Sequence, residues 1–263
     1  MNELALFAGA GGGILGGKLL GWRTVCAVEI EEYPRRVLMQ RQDDGILKPF
    51  PIWDDVRTFN GREWRGAVDI VTGGFPCQDI SVAGGGAGID GERSGLWSEF
   101  ARIIREVRPG FVFVENSPAL TSRGLDRVLG DLSEMGFDAE WGVLGADNVG
   151  APHIRKRIWI AGWDANEINE REKRVAPQGA DTNTSRDGEV SDANSPGCKQ
   201  QRRPKSEQAE HTSIECGGWW EAEPDVGRVV NGMARRVDQL KAIGNGQVPA
   251  VAALAWRLLS GGR

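Results

Sequence analysis

Cys77 stands in the run Gly73-Gly74-Phe75-Pro76-Cys77-Gln78-Asp79, directly after the apolar stretch Asp69-Ile70-Val71-Thr72. A lone cysteine packed inside a strand behaves as a small hydrophobe. Here Pro76 fixes the turn before it, glycines precede it and polar residues follow, so the thiol is expected on a loop. A thiolate so displayed is a nucleophile. A second acid-base candidate, Glu115, is followed by Asn116 after the apolar run Phe111-Val112-Phe113-Val114. Beside Cys77 it would be a carboxyl partner; the alternative is that Glu-Asn-Ser only caps the next turn. A third group is His153-Ile154-Arg155-Lys156-Arg157. Read as a strand, it places His153, Arg155 and Arg157 on one side. That suits a polar cleft or a charged substrate, or else a solvated edge.

The N-terminal stretch Phe7-Ala8-Gly9-Ala10-Gly11-Gly12-Gly13-Ile14-Leu15-Gly16 carries different chemistry. Gly11, Gly13 and Gly16 fit the GxGxxG spacing, which reads as a nucleotide-cofactor cradle between a first strand and a helix. Glu29 lies twenty residues after Gly9, at the end of a second apolar run, where a carboxylate can accept from ribose hydroxyls. Asp54 and Asp55 follow Ile52-Trp53, and one of them is placed to reach an adenine amino group. A nicotinamide enzyme would share this loop, and a plain glycine-rich turn is the alternative.

These residues need a scaffold. Short runs rich in Val, Ile and Phe (around 3–8, 24–30, 67–74, 110–116 and 154–162) alternate with helical patterns around 33–42, 98–109 and 124–136. Such alternation predicts an α/β fold with a mostly parallel sheet covered on both faces. Residues 164–217 are polar and form a small separate region in this reading. From 218 the pattern returns and ends in an apolar helix starting near Pro249. The expected layout is a cofactor-binding and catalytic domain over 1–163, a small irregular region over 164–217, and a segment over 218–263 that returns to the first domain.

Bulk composition narrows the class. The 263 residues are 40% hydrophobic and 26% charged, ordinary for a globular chain. No apolar run is long enough to span a bilayer, and the N-terminus is read as lacking a signal peptide. Four cysteines without a CxxC pair fit a reducing cytoplasm. A net charge of −5 argues against a uniformly basic nucleic-acid surface. Basic residues are nonetheless clustered at 155–157, 171–174 and 199–205. Cys198, His211 and Cys216 fit no standard zinc spacing, so no metal is expected.

Taken together, FAGAGGGILG, VEI, WDDV, GGFPCQDIS, ERSGLW, VENS, ADNVGAPHIRKRIWIAG and IGNGQVP occur in the order seen in the DNA cytosine carbon-5 methyltransferases, which the chain resembles over about 3–162 and 218–260. The compact form is similar to phage or prophage members. The resemblance implies a Rossmann-like fold binding S-adenosylmethionine, with a small target-recognition region. It implies methylation of carbon 5 of cytosine in a specific double-stranded DNA sequence, through a covalent Cys77 adduct at carbon 6 of a flipped-out base. In that mechanism Glu115 acts at ring nitrogen 3, and Arg157 and Arg155 contact the base carbonyl and help orient the cysteine. Phe7 and Ile30 would pack on adenosine and Asp55 would meet the adenine amino group. Leu96 and Asn245 would line the methionine end, with Gly9, Gly11, Gly12, Glu29, Val56 and Pro76 completing the cofactor site. Gln78, Ser81, Arg93 and Asn116 would face the DNA or the base. The partner implied is DNA, met by a monomer, with a cognate restriction endonuclease as a further candidate.

The match departs from the family at Ser117, usually valine, and at His153, usually glutamine. Residues 164–216 are short and polar where relatives carry target recognition. Three rivals remain at this level. An RNA cytosine methyltransferase would use the same thiolate chemistry. A catalytically dead DNA-binding homologue should have lost Cys77 or Glu115. A nicotinamide oxidoreductase accounts for the glycine loop alone.

Overall fold

The computed structural model describes residues 1–76, 95–164 and 236–262. Seven strands form one sheet: β1 (Asn2–Leu6), β2 (Arg23–Val28), β3 (Ile52–Trp53), β4 (Ile70–Gly73), β5 (Phe111–Asn116), β6 (Phe137–Leu144) and β7 (Arg157–Asp164). Their spatial order is β3-β2-β1-β4-β5-β7-β6. The first five in that order are parallel, and β7 runs antiparallel to both β5 and β6. The α/β class and the mostly parallel sheet are therefore as expected.

Helices cover both faces. They are α1 (Gly12–Leu19), α2 (Glu32–Asp43), α3 (Leu96–Val107), α4 (Leu125–Glu134), α5 (Arg236–Asn245) and α6 (Pro249–Leu259). Strand alternation sorts the core. Leu4, Leu6, Val71, Val112, Val114, Ile158 and Ile160 pack towards α3 and α4. Ile70, Phe111, Phe113, Trp159 and Ala161 pack towards α6. Helix α3 buries Trp97, Phe100, Ala101, Ile104 and Val107, the stripe of an amphipathic helix. It stops at Arg108, whose φ of 51° is left-handed, just before Pro109.

The C-terminal helix is locked by aromatic contacts. Trp256 meets Trp22, Phe111 and Phe113 edge-on at 5.0, 5.7 and 5.4 Å. Truncating such a buried ring costs about 3–5 kcal/mol. Against α1 the approach is closer still: a Cβ on Gly16 would lie 2.8 Å from Ala252 Cβ and 3.0 Å from the Pro249 carbonyl.

Two expectations need correction. The arginine strand begins at Arg157, so His153 and Arg155 lie before it and do not share a face by strand alternation. Arg155 has a φ of 28° and sits in irregular chain, because the segment turns into the sheet there. Strand β6, absent from the sequence reading, lies at the sheet edge with most positions partly or fully exposed. Its polar residues Asp138 and Glu140 are those of a half-solvated antiparallel strand and hide it among surface sequence.

The order of strands reverses between β1 and β4: the chain steps from β1 outward to β2 and β3, then returns to the other side of β1. Ligands of open α/β sheets bind beyond the carboxyl ends of the strands at such a point. Phe7 follows β1 there, and Gly74-Phe75-Pro76 follows β4 there.

Candidate active site

A cleft of about 680 Å³ opens at this reversal point. Its first wall comes from the chain after β1 and β2. Phe7 holds a φ of 50°, unusual for a bulky residue, and stacks on Phe100 with ring centroids 6.3 Å apart. The turn that follows lets the Gly9 N–H donate to Glu29 Oε2 at 2.6 Å. The Glu31 N–H donates to Glu29 Oε1 at 2.8 Å. Burial pushes the Glu29 carboxyl up, opposed by these two amide donors. A carboxylate can accept about four hydrogen bonds, so two remain for a ligand hydroxyl pair.

The second wall is the turn after β3. Asp55 caps the short helix Val56–Thr58 through the Arg57 N–H at 3.0 Å and ion-pairs with the Arg57 side chain at 2.9 Å. The Arg57 contacts hold its carboxyl below the usual range. Arg102 on α3 pins this turn, donating to the Val56 and Phe59 carbonyls at 2.8 and 3.0 Å. Ile30, 56% exposed, offers an apolar surface to the cleft. Helix α5 faces these walls, and Lys241 pairs with Glu31 at 2.5 Å beside the opening.

Deeper in the same cleft lies Glu115, at the end of β5 and 8% exposed. Burial pushes its carboxyl up to about 7, against the pull of Arg157, Arg155 and Gln247. Arg157, from the start of β7, pairs through Nε with Glu115 Oε1 at 2.9 Å. Gln247 Nε2 donates to Glu115 Oε2 at 3.5 Å. Gly74 makes room for the carboxyl, since a Cβ there would stand 2.5 Å from Glu115 Oε2. A protonatable carboxyl beside a fixed guanidinium can donate to a ring nitrogen while the guanidinium meets a neighbouring carbonyl.

The chain leading to Cys77 is anchored through Phe75. Phe75 is buried against Trp97 at 5.4 Å. The Trp97 indole N–H donates to Asp131 at 2.7 Å. Asn116, 2% exposed, donates from Nδ2 to the Phe75 carbonyl at 3.0 Å and accepts from the Ser117 N–H at 2.7 Å.

Most of the expected residues meet in this cleft. Phe7, Gly9, Glu29, Ile30, Asp55 and Val56 line one end, and Pro76, Leu96, Glu115, Arg157 and Asn245 line the other. Asp54 is exposed outside it. Gly11 and Gly12 do not line it: a Cβ on Gly11 would meet Leu38 at 2.7 Å, and one on Gly12 would meet the Gln247 carbonyl at 2.2 Å. Both positions let neighbouring chain approach closely. Arg155 is likewise engaged elsewhere, donating through Nη2 to the Gly244 and Gly246 carbonyls at 2.6 and 2.5 Å. Asn116 also lines the cleft, and its amide secures the chain at Phe75. Cys77, Gln78, Ser81 and Arg93 lie outside the described residues, as do Cys198, His211 and Cys216. Sequence reasoning missed Arg102, Lys241 and Gln247; only Gln247 had a signal, its place inside IGNGQVP.

Comparison with known proteins places the chain in a family. The family model described as C-5 cytosine-specific DNA methylase matches residues 1–249. The type II methyltransferase M.CviJI of Paramecium bursaria Chlorella virus IL3A is 35% identical over 158 residues, 59% of this chain and 41% of that one. M.Eco47II of Escherichia coli is 28% identical over 259 residues, covering 89% of this chain and 60% of its own. A crystal structure of a prophage-encoded DNA modification methyltransferase from E. coli superposes with a TM-score of 0.52 at 26% identity, over 64% of this chain and 48% of that one. The chain thus spans roughly half the length of the relatives it matches. Matched along nearly its whole length, it belongs to the C-5 cytosine-specific DNA methylase family.

Proposed function

We propose that the protein transfers a methyl group from S-adenosylmethionine to carbon 5 of cytosine in double-stranded DNA. The observation that carries this reading is Glu115, buried, paired with Arg157 and open to the same cleft as Glu29. The residues fit the cofactor. The cleft is of ligand size, Glu29 keeps acceptor capacity for ribose hydroxyls, and Ile30 and Phe7 supply apolar surface for adenine. Asp55, Val56, Pro76, Leu96 and Asn245 are positioned to complete the enclosure. When bound, S-adenosylmethionine supplies an electrophilic methyl on a sulfonium.

Cytosine carbon 5 is a poor nucleophile, and the chain's residues change that. The Cys77 thiolate forms a bond to carbon 6 of a base turned out of the helix. Electron density moves through carbon 4 to nitrogen 3, where Glu115 in its protonated form donates. Arg157 stabilises the base carbonyl and, by pairing with Glu115, sets its orientation. The resulting enamine takes the methyl at carbon 5. Loss of the carbon 5 proton to solvent then restores the double bond, expels the Cys77 sulfur as thiolate, and lets nitrogen 3 return its proton to Glu115. Arg155 supports this site by fixing the turn at Gly244–Gly246.

Residues 164–217 are assigned to target recognition, with Gln78, Ser81 and Arg93 on the DNA side. Pairing with a restriction endonuclease draws support from relatives named type II methyltransferases. Action as a monomer in the cytoplasm completes the reading. Among the described residues, no helix is long and apolar enough to cross a membrane.

The test is methyl transfer from labelled S-adenosylmethionine to separate duplex DNA and RNA pools, with sites mapped by bisulfite sequencing. The expected result is 5-methylcytosine in DNA at one sequence, abolished by Cys77→Ser. Transfer to RNA alone, or an active Cys77→Ser protein, would overturn the reading.

A further inference from the structure

We propose that Gln247 is a positioning residue that holds the Glu115 carboxyl in place, and that Gly12, Gly13 and Gly74 exist to seat it. The inference rests on the role given to Glu115 above. The two carboxyl oxygens have separate partners: Arg157 takes Oε1 at 2.9 Å, and the Gln247 amide faces Oε2 at 3.5 Å. The carboxyl is therefore bracketed from both sides.

The seat of Gln247 is unusually tight. A Cβ on Gly12 would stand 2.2 Å from the Gln247 carbonyl oxygen, and one on Gly13 would stand 2.5 Å from its Oε1. A Cβ on Gly74 would stand 3.1 Å from its Nε2 as well as 2.5 Å from Glu115 Oε2. Gly12 and Gly13 at the start of α1 and Gly74 after β4 thus clear space for the Gln247 backbone, its side chain and its partner. The backbone on either side is fixed too. Arg155 holds the Gly244 and Gly246 carbonyls, and Pro249 begins α6, which packs on α1. Asn245, two residues earlier, lines the cleft. One short turn therefore carries both a cleft-lining residue and the partner of Glu115. A residue that only fills space would tolerate an apolar side chain of the same length. A positioning amide would not.

The test compares the full chain with Gln247→Met, Gly13→Ala and the double variant. The first readout needs neither DNA nor methyl donor: titration of the Glu115 carboxyl by isotope-edited infrared difference spectroscopy, assigned with Glu115→Gln. Loss of an amide donor disfavours the carboxylate, so the Gln247→Met midpoint rises by roughly 0.5–1 in pH. The second readout is methyl transfer, where kcat falls roughly tenfold with KM for donor and DNA unchanged within about twofold. Gly13→Ala, which displaces the amide, moves both readouts in the same direction but adds less than about twofold to Gln247→Met. Unchanged midpoint and kcat in Gln247→Met, or a change confined to KM, would overturn the proposal. If Glu115→Gln methylates DNA as fast as the parent, the role of Glu115 fails instead, while the midpoint comparison still decides the contact. Should Gln247→Met not fold, Gln247→Asn, which draws the amide back by one methylene, must show the same rise in midpoint and loss of kcat.

Discussion

At the scale of single residues, burial sets the chemistry available to each group. Cys26 is buried in β2 and its thiol is pushed up to about 12, so it is inert, the fate of an ordinary packed cysteine. Glu115 and Glu3 are both carried to about 7 by burial, yet they differ in use. Glu115 opens on the cleft, and Glu115→Gln is expected to lower kcat about 10²-fold or more while leaving S-adenosylhomocysteine binding within about twofold, checked by steady-state kinetics and calorimetry. Glu3 accepts from Thr24 and Thr72 at 2.6 and 2.8 Å inside the sheet. Its folded carboxyl titrates above its ordinary 4.5, so its contribution to stability is present below about 4.5 and is lost as pH rises through about 7. Chemical denaturation between pH 5 and 8 should show stability falling with pH, and Glu3→Gln should flatten that slope. A slope unaltered by Glu3→Gln would show that other groups govern it.

At the scale of elements, glycine decides how closely the pieces meet. The run after β1 has the spacing of a cofactor loop, yet only Gly9 among Gly9, Gly11 and Gly12 lines the cleft. Gly11 and Gly12 let α2 and the Gln247 turn approach the first loop, and Gly16 lets α1 meet α6. Gly16→Ala is expected to destabilise the fold by about 1–3 kcal/mol through overpacking against Ala252 and the Pro249 carbonyl, read by urea unfolding. Gly74→Ala should behave differently. Its Cβ would press on the Glu115 carboxyl, so methyl transfer should fall at least tenfold with a smaller loss of stability. Equal stability loss in the two variants, with catalysis spared in the second, would contradict this division of roles.

At the scale of the whole molecule, the reversal of strand order between β1 and β4 gathers residues from the carboxyl ends of five strands into one cleft. A ligand bridging the β2 end and α5 should stabilise the folded chain. S-adenosylhomocysteine at about 100 times its Kd is expected to add about 2.7 kcal/mol, seen as a rise in Tm, and Glu29→Ala should remove most of that rise. The sequence by itself determined the α/β alternation, because apolar runs such as Phe111–Val114 are buried on both faces and carry little else. It also pointed to Glu115, Arg157, Glu29 and Cys77 as candidates for chemistry, since their types stand beside apolar runs and turn residues in the sequence. Only the tertiary structure decided which partners the described ones meet. It inserted β7 antiparallel between β5 and β6, which brings Arg157 to Glu115. It spent Arg155 and Asn116 on backbone carbonyls and turned the glycine run largely to packing. Local sequence fixes backbone preference and polarity. Which donor meets which acceptor depends on contacts between residues far apart in the chain, such as Glu115 and Gln247, whose spacing carries no local signal.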